Sequence, residues 1–295
     1  MTVFDTQFLQ KLEYLSLLAR RKYHGQMMAQ RATRQLGSGI EFADHQPYSV
    51  GDDFRYLDWN AYARHGDLLL KRFHEERDLR VDLLIDASQS MAVGAGVTKF
   101  QYACQVGAAL AYLALAQMDR VEIVTFADDI LSTLPETRGK AQILTVLKFL
   151  DQQTTRGVDT CLDAAVAKLT RQSHTGGIAI LISDFLDPHG CERALDRLRY
   201  HQFEVYLVHV HDTSEADPKL LGDYEMVDIE TGATRLLTIR QRDLQRYRAA
   251  FQEFATSLET FARQHGMSYL RSSTDVRFDE LILKTMRRAG WLAGG

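Results

Sequence analysis

The chain has 295 residues, 45% of them hydrophobic, 25% charged and 9% aromatic, with 4 Pro and 3 Cys. That balance excludes a disordered, collagen-like or disulfide-stapled protein, and a chain of this length buries roughly three quarters of its unfolded surface, enough for one large core and a smaller satellite. Thirty-five Lys and Arg against 39 Asp and Glu leave a net charge of -4, without the basic excess that drives nonspecific nucleic-acid binding, so no nucleic-acid partner is expected.

Residues 6–22 place Phe8, Leu12, Leu15 and Ala19 at helical spacing behind Asp5 or Thr6 as a cap, which predicts an amphipathic helix that must dock on something. Residues 1–36 form a helical arm carrying six Lys and Arg (Lys11, Arg20, Arg21, Lys22, Arg31, Arg34) against two acids (Asp5, Glu13), a local excess of +4. Such a face is either simply solvated or makes peripheral contact with an anionic membrane surface or an acidic partner. Gly37-Ser38-Gly39 interrupts the helical pattern, and residues 37–78 read as a small β-rich or irregular segment with Gly51-Asp52-Asp53 and His65-Gly66-Asp67 as turn signals.

From Leu79 the pattern changes. Val81 to Ile85 reads as a strand, and Lys99 to Gln117 as a helix with Ala103, Val106, Leu110 and Leu113 on one face and so much Ala elsewhere that burial all round is expected. Strands at Val121 to Phe126 and Ile130 to Leu134 follow, then helices at Ala141 to Leu150 and Leu162 to Arg171, and a strand at Ile178 to Ser183. A helix at Cys191 to Tyr200, a strand at Phe203 to Val210, a hairpin at Met226 to Ile229 and Arg235 to Ile239, and a long helix at Arg242 to His265 come next. A last strand, Met267 to Arg271, and a last helix, Val276 to Arg288, complete a domain over residues 79–290. Strands alternating with helices predict a doubly wound α/β domain with a mostly parallel sheet.

The longest apolar stretch, Val106 to Ala116, is much shorter than the roughly 20 residues that cross a bilayer, and the N-terminus has no signal-peptide core. Cys104, Cys161 and Cys191 show no C-x-x-C spacing, which suits a reducing compartment, and a cytoplasmic location is expected.

The residues that carry chemistry follow the first strand of the α/β domain: Asp86-Ala87-Ser88-Gln89-Ser90, a D-x-S-x-S pattern. A carboxylate and two hydroxyls within five residues offer hard oxygen ligands, suited to Mg²⁺ or another hard divalent cation and poor for zinc or copper. Taken alone, the pattern is as well explained by a Ser-rich loop capping the next helix. Thr160 precedes a helix and Asp184 ends the strand Ile180-Leu181-Ile182-Ser183. With strand order 3-2-1-4-5-6 the switch point falls between the first and fourth strands, whose ends carry Asp86 and Asp184, and three loops converge there.

Asp86-x-Ser88-x-Ser90, Thr160 and Asp184 together resemble the metal-ion-dependent adhesion site of von Willebrand factor A domains. Tyr48-Ser49-Val50-Gly51-Asp52-Asp53-Phe54-Arg55-Tyr56-Leu57-Asp58-Trp59, with Ala63-Arg64, Ser183-Asp184-Phe185-Leu186-Asp187 and Asp228-Ile229-Glu230-Thr231-Gly232, resembles a bacterial domain-of-unknown-function family, DUF58, that carries such a domain. The resemblance runs from about residue 37 to 240. It implies that Ser88, Ser90 and Thr160 present hydroxyls to Mg²⁺ while Asp86 and Asp184 hold it directly or through water, and that a MoxR-type AAA+ ATPase or its client protein is the partner. Phe185 departs from many A domains, where Gly follows the second aspartate.

Several other groups have simpler explanations. Asp52, Asp53, Arg55 and Asp58 read as an Arg/Asp network that fixes a turn with Trp59 packed beneath, and Arg55 and Arg64 as structural. His209 and His211 share one face of a strand, a spacing usable for zinc, but no third ligand is signalled. Gly94-Ala95-Gly96 with Lys99 in place of a third glycine is a weak nucleotide motif. Asp129 and Asp159 read as a turn residue and a cap-region acid. The expected function is a noncatalytic protein-interaction module in which Mg²⁺ captures an acidic residue of a partner. The alternatives are a Mg²⁺-dependent phosphoester hydrolase, for which no D-x-D pattern is present, and a metal-free scaffold.

Overall fold

The computed structural model describes residues 4, 7–15, 36–37, 41–49, 51–74, 79–94, 96–156, 160–172, 176–229 and 232–288. Arg20, Arg21, Lys22, Arg31, Arg34, Ala95, Asp159, Glu230 and Thr231 therefore lie outside the described residues. A helix at residues 7–15 (α1) comes first, followed by β1 (Leu36–Gly37), β2 (Glu41–Pro47), α2 (Trp59–His65) and β3 (Leu69–His74). The α/β part then runs β4 (Arg80–Asp86), α3 (Lys99–Ala116), β5 (Arg120–Phe126), β6 (Ile130–Arg138), α4 (Ile143–Asp151), α5 (Leu162–Gln172), β7 (Ile178–Ser183), α6 (Glu192–Tyr200) and β8 (Glu204–His211). It ends with α7 (Thr213–Ala216), the hairpin strands β9 (Gly222–Val227) and β10 (Thr234–Ile239), α8 (Gln241–Gln264), β11 (Ser268–Ser273) and α9 (Phe278–Arg288).

Six strands form the main sheet in the order β11-β8-β7-β4-β5-β6. Every neighbouring pair is parallel except β5 with β6, which a short turn joins and so runs antiparallel. Counted along the chain within the sheet, this is the 3-2-1-4-5-6 order of a doubly wound fold, and β4 and β7 are the neighbours at which the winding reverses.

The two-residue period of β4 distributes its apolar side chains to both faces. Leu83 and Ile85 enter a core with α1, α3, α4 and α9, whereas Leu84 enters a second core with α5, α6 and α8. The α1 residues Phe8, Leu12 and Leu15 belong to the first core, where the Phe8 and Phe278 rings lie 4.6 Å apart. Helix α3 is buried nearly all round, as its Ala content anticipates, and begins in a capping box between Thr98 and Gln101. Gly107 lets it approach β4 closely: a Cβ there would stand 2.7 Å from the Ile85 side chain.

The small antiparallel sheet β1-β3-β2 precedes this domain. Asp58 caps α2 by accepting from the Asn60 and Ala61 amides, and it also meets His45 Nε2 at 2.8 Å and Lys71 Nζ at 3.5 Å. The His45 hydrogen bond is the largest of the influences that hold its carboxyl down at about 2. The expected Arg/Asp network is present, with Asp52 accepting from the Ser49 amide and Asp53 from the Arg55 amide and guanidinium, but it lies on the surface and Trp59 is not packed beneath it. Arg55 pairs with Asp53 on the exposed surface, Arg64 is exposed, and Trp59 is 64% exposed, because Leu57 and Asp58 take the buried positions beside it. Among the described residues no helix is long and apolar enough to cross a membrane.

Candidate metal site

Register brings the two sequence-identified carboxylates together. Ile85 of β4 pairs with Ile182 of β7, so Asp86 and Ser183 are the next residues on neighbouring strands. Ser183 Oγ donates to Asp86 Oδ2 at 2.5 Å and accepts from the Phe185 amide at 2.8 Å, which pins the chain as it leaves β7. Phe185 takes the left-handed conformation, with φ 57, that glycine would adopt without strain. That conformation costs a non-glycine residue roughly 1–2 kcal/mol. The buried Phe185 ring, set edge-on to His209 with centroids 6.0 Å apart, offsets it by about 1.5–3 kcal/mol.

The D-x-S-x-S loop is fixed from within. The Ala87 amide donates to Phe126 O at 2.7 Å, the Ser88 amide donates to Asp86 Oδ1 at 2.9 Å, and the Ser88 and Ser90 hydroxyls are 3.0 Å apart. Thr160 is buried, and described residues on either side of it are tied to three loops: the Arg156 amide donates to Ala87 O, the Cys161 amide to Ala127 O and the Leu162 amide to Asp187 Oδ2. Those acceptors follow β4, β5 and β7 respectively, so Thr160 reaches the same end of the sheet as Asp86 and Asp184.

Burial pushes the Asp86 carboxyl up, and the neighbouring Asp184 charge reinforces this against hydrogen bonds from Ser183 and Ser88 that favour the carboxylate. A nearby cation would draw a carboxyl in this condition back to its charged form. The side chains that the sequence nominates at this end of the sheet are two carboxylates and three hydroxyls, a hard-oxygen set of the kind that suits Mg²⁺ rather than a soft metal. Among the described residues no three His, Cys, Asp or Glu side chains form a metal cluster, so a site here depends on its hydroxyls.

Sequence reasoning misses two charged residues here. Lys99, the first residue of α3, has a fully buried side chain whose Nζ donates to Asp184 Oδ2 at 2.7 Å and to Glu215 Oε1 at 2.5 Å. Burial opposes its charge, but Asp184 and Glu215 outweigh burial and leave its pKa raised. A signal for it exists: Lys99 stands four residues before Ala103 and seven before Val106, in register with the apolar stripe of α3. Glu215 shows only as the fourth residue of Asp212-x-x-Glu215, the capping box of α7.

The other candidates are engaged in structure. His209 Nδ1 meets the Tyr269 hydroxyl at 2.7 Å, and burial, with Arg271 and His211 adding to it, pulls its pKa down to about 3. His211 differs: burial lowers it to about 4 and its Nδ1 is buried without a hydrogen-bond partner among the described residues, while Asp212 is committed to the α7 cap and Thr274. Asp129 accepts from the Ile130 amide and pairs with Lys168, as a turn residue does. Cys104, Cys161 and Cys191 are free thiols.

Among solved structures, the chain is similar to the conserved hypothetical protein BatB from Bacteroides thetaiotaomicron, at 15% identity and TM-score 0.44, covering 72% of this chain and 98% of that one. It is also similar to proximal thread matrix protein 1 from the mussel byssus, whose structure has a zinc-occupied MIDAS motif, at 14% identity and TM-score 0.42, covering 72% of this chain and 46% of that one. At these TM-scores the likeness says nothing about what this chain binds. In sequence it is 26% identical to the uncharacterized protein Rv1480 of Mycobacterium tuberculosis over 98% of this chain and 93% of that protein. It is 28% identical to the uncharacterized protein MAV169 of Mycobacterium avium over 56% of this chain and 99% of that protein. The family model described as protein of unknown function DUF58 matches residues 44–260, well over half the chain, and the protein belongs to that family.

Proposed function

We propose that this chain is a noncatalytic interaction module of the von Willebrand factor A type, in which Asp86, Ser88, Ser90, Thr160 and Asp184 hold Mg²⁺ or another hard divalent cation for capture of a partner's carboxylate. The observation that carries this reading is the hydrogen bonding of the Arg156, Cys161 and Leu162 amides to Ala87, Ala127 and Asp187, at the end of the sheet where Asp86 closes β4 and Asp184 follows the neighbouring β7. The bound cation would supply Lewis acidity and an exchangeable coordination position. The chain's own residues do the rest. Ser183 orients one oxygen of Asp86, the Ser88 amide orients the other, and the Leu186 amide orients Asp184 Oδ1. Because three of the five donors are neutral hydroxyls, the site retains affinity for one more carboxylate.

The proposed partner is a MoxR-type AAA+ ATPase or its client, working in the cytosol. This assignment is supported by family membership and by the motif resemblance at Gly51 to Trp59 and Ser183 to Asp187. A phosphoester hydrolase is less well supported, since Lys99, the cation beside Asp184, is buried and divided between Asp184 and Glu215 and has no free charge for a phosphoryl group. Surface plasmon resonance of the immobilised full chain against the purified MoxR-type ATPase of the same organism tests the reading. Binding in Mg²⁺ that is lost in EDTA and in Ser88→Ala is expected. Equal binding in EDTA contradicts it.

A further inference from the structure

The Asp86/Asp184 site has an internal cation at its edge, and its placement is unusual for a lysine. Lys99 is fully buried at the N-terminus of α3, where the helix dipole is positive and a lysine is unfavourable on both counts. Two carboxylates hold it there, and both are otherwise fixed by backbone. Asp184 gives Oδ2 to Lys99 and Oδ1 to the Leu186 amide. Glu215 gives Oε1 to Lys99 and Oε2 to the Asp212 amide. Lys99 is thus shared between a residue of the candidate metal site and one outside it, whereas Asp86 accepts from the Ser183 hydroxyl and the Ser88 amide.

The geometry points to Lys99 as the residue that sets the cation affinity of this site: its ammonium competes with a divalent cation for the Asp184 carboxylate, and Glu215 is the anion that keeps Lys99 when Asp184 turns to the metal. This rests on the metal reading above and adds its regulation. With Lys99 in place the free protein holds a cation weakly, because a positive charge already occupies one of its two carboxylates. A partner's carboxylate restores the missing negative charge, so cation and partner bind with mutual reinforcement. Glu215 tunes the balance from outside, since without it Lys99 leans on Asp184 alone.

Isothermal titration of the full chain with Mg²⁺ and with Mn²⁺ tests this in wild type, Lys99→Met and Glu215→Gln, with the metal-induced rise in melting temperature as a second readout. Removing a unit charge a few ångströms from the cation is expected to tighten binding at least about tenfold in Lys99→Met. Glu215→Gln is expected to weaken it several-fold, by roughly the loss of one nearby anion. If Lys99→Met does not fold alone, the proposal requires that Mg²⁺ or Mn²⁺ restore its folding, and failure to do so overturns it. A wild type that binds metal while Lys99→Met binds equally or more weakly overturns the role of Lys99 and leaves the metal reading standing. No heat and no stabilisation in any of the three chains overturns both.

Discussion

Ser183 Oγ lies 2.5 Å from Asp86 Oδ2, a hydrogen bond that joins the ends of two parallel strands at the point where the sheet reverses its winding. The same hydroxyl accepts from the Phe185 amide, so one side chain sets both the carboxylate and the turn that follows. Ser183→Ala leaves a buried carboxyl oxygen and a buried amide without this partner. A loss of about 1–3 kcal/mol is expected by urea denaturation, and Asp86→Asn should not add its full cost on top of it. Strict additivity of the two substitutions would show that the bond does not couple them.

Phe185 separates packing from backbone strain. Phe185→Ala keeps the left-handed conformation and loses the ring, at an expected cost of about 3–5 kcal/mol. Phe185→Gly loses the same ring but relieves the backbone, so it should be as stable as Phe185→Ala or more stable by about 1 kcal/mol. That inverts the usual order of alanine over glycine. Thermal unfolding of the pair distinguishes the two cases, and a glycine variant clearly less stable than the alanine one would refute the strain.

Acid should destabilise the protein through His209. Its folded pKa, about 3, lies below the ordinary 6.5, so the unfolded chain binds a proton that the folded chain refuses. The stability it contributes is complete above about pH 6.5 and is lost as pH falls through that window, at about 1.4 kcal/mol per unit. His211, lowered to about 4, acts in the same direction. His209→Gln keeps a polar group opposite the Tyr269 hydroxyl but cannot titrate. Its stability, measured by chemical denaturation between pH 6.5 and 4, should fall less steeply than that of wild type; parallel curves would exclude His209 as the source.

Much of the architecture is legible in the chain because its signals are local. Val81 to Ile85, apolar but for Asp82, leads into a helical segment, Ile178 to Ser183 is a short apolar run between two, and those strands lie side by side at the centre of the sheet. Asp86, Ser88 and Ser90 are recognisable because five consecutive residues carry them. Lys99 and its partners are not, since Asp184 is 85 residues away and Glu215 116, and ion pairs of that separation leave no periodic trace. Trp59 misleads for a different reason. Large aromatics are usually buried, but the first position of α2 turns this one outward while Leu57 and Asp58 fill the interior. The left-handed Phe185 is likewise hidden, because only the ring's environment makes that conformation tolerable.

The hairpin formed by β9 and β10 is exposed along nearly its whole length, with Leu236 82% exposed. Leu236→Lys is therefore expected to change stability by no more than about 0.5 kcal/mol. A larger loss in denaturant titration would mean that this side chain packs against something in solution.

The location of a bound cation tests the central claim most directly. Crystals of the full chain grown with Mn²⁺, measured at the manganese absorption edge, are predicted to show an anomalous peak ringed by Ser88, Ser90 and Thr160, with Asp86 and Asp184 reaching it directly or through water. A peak at any other position, or none at this one with Mn²⁺ in excess, would contradict the account.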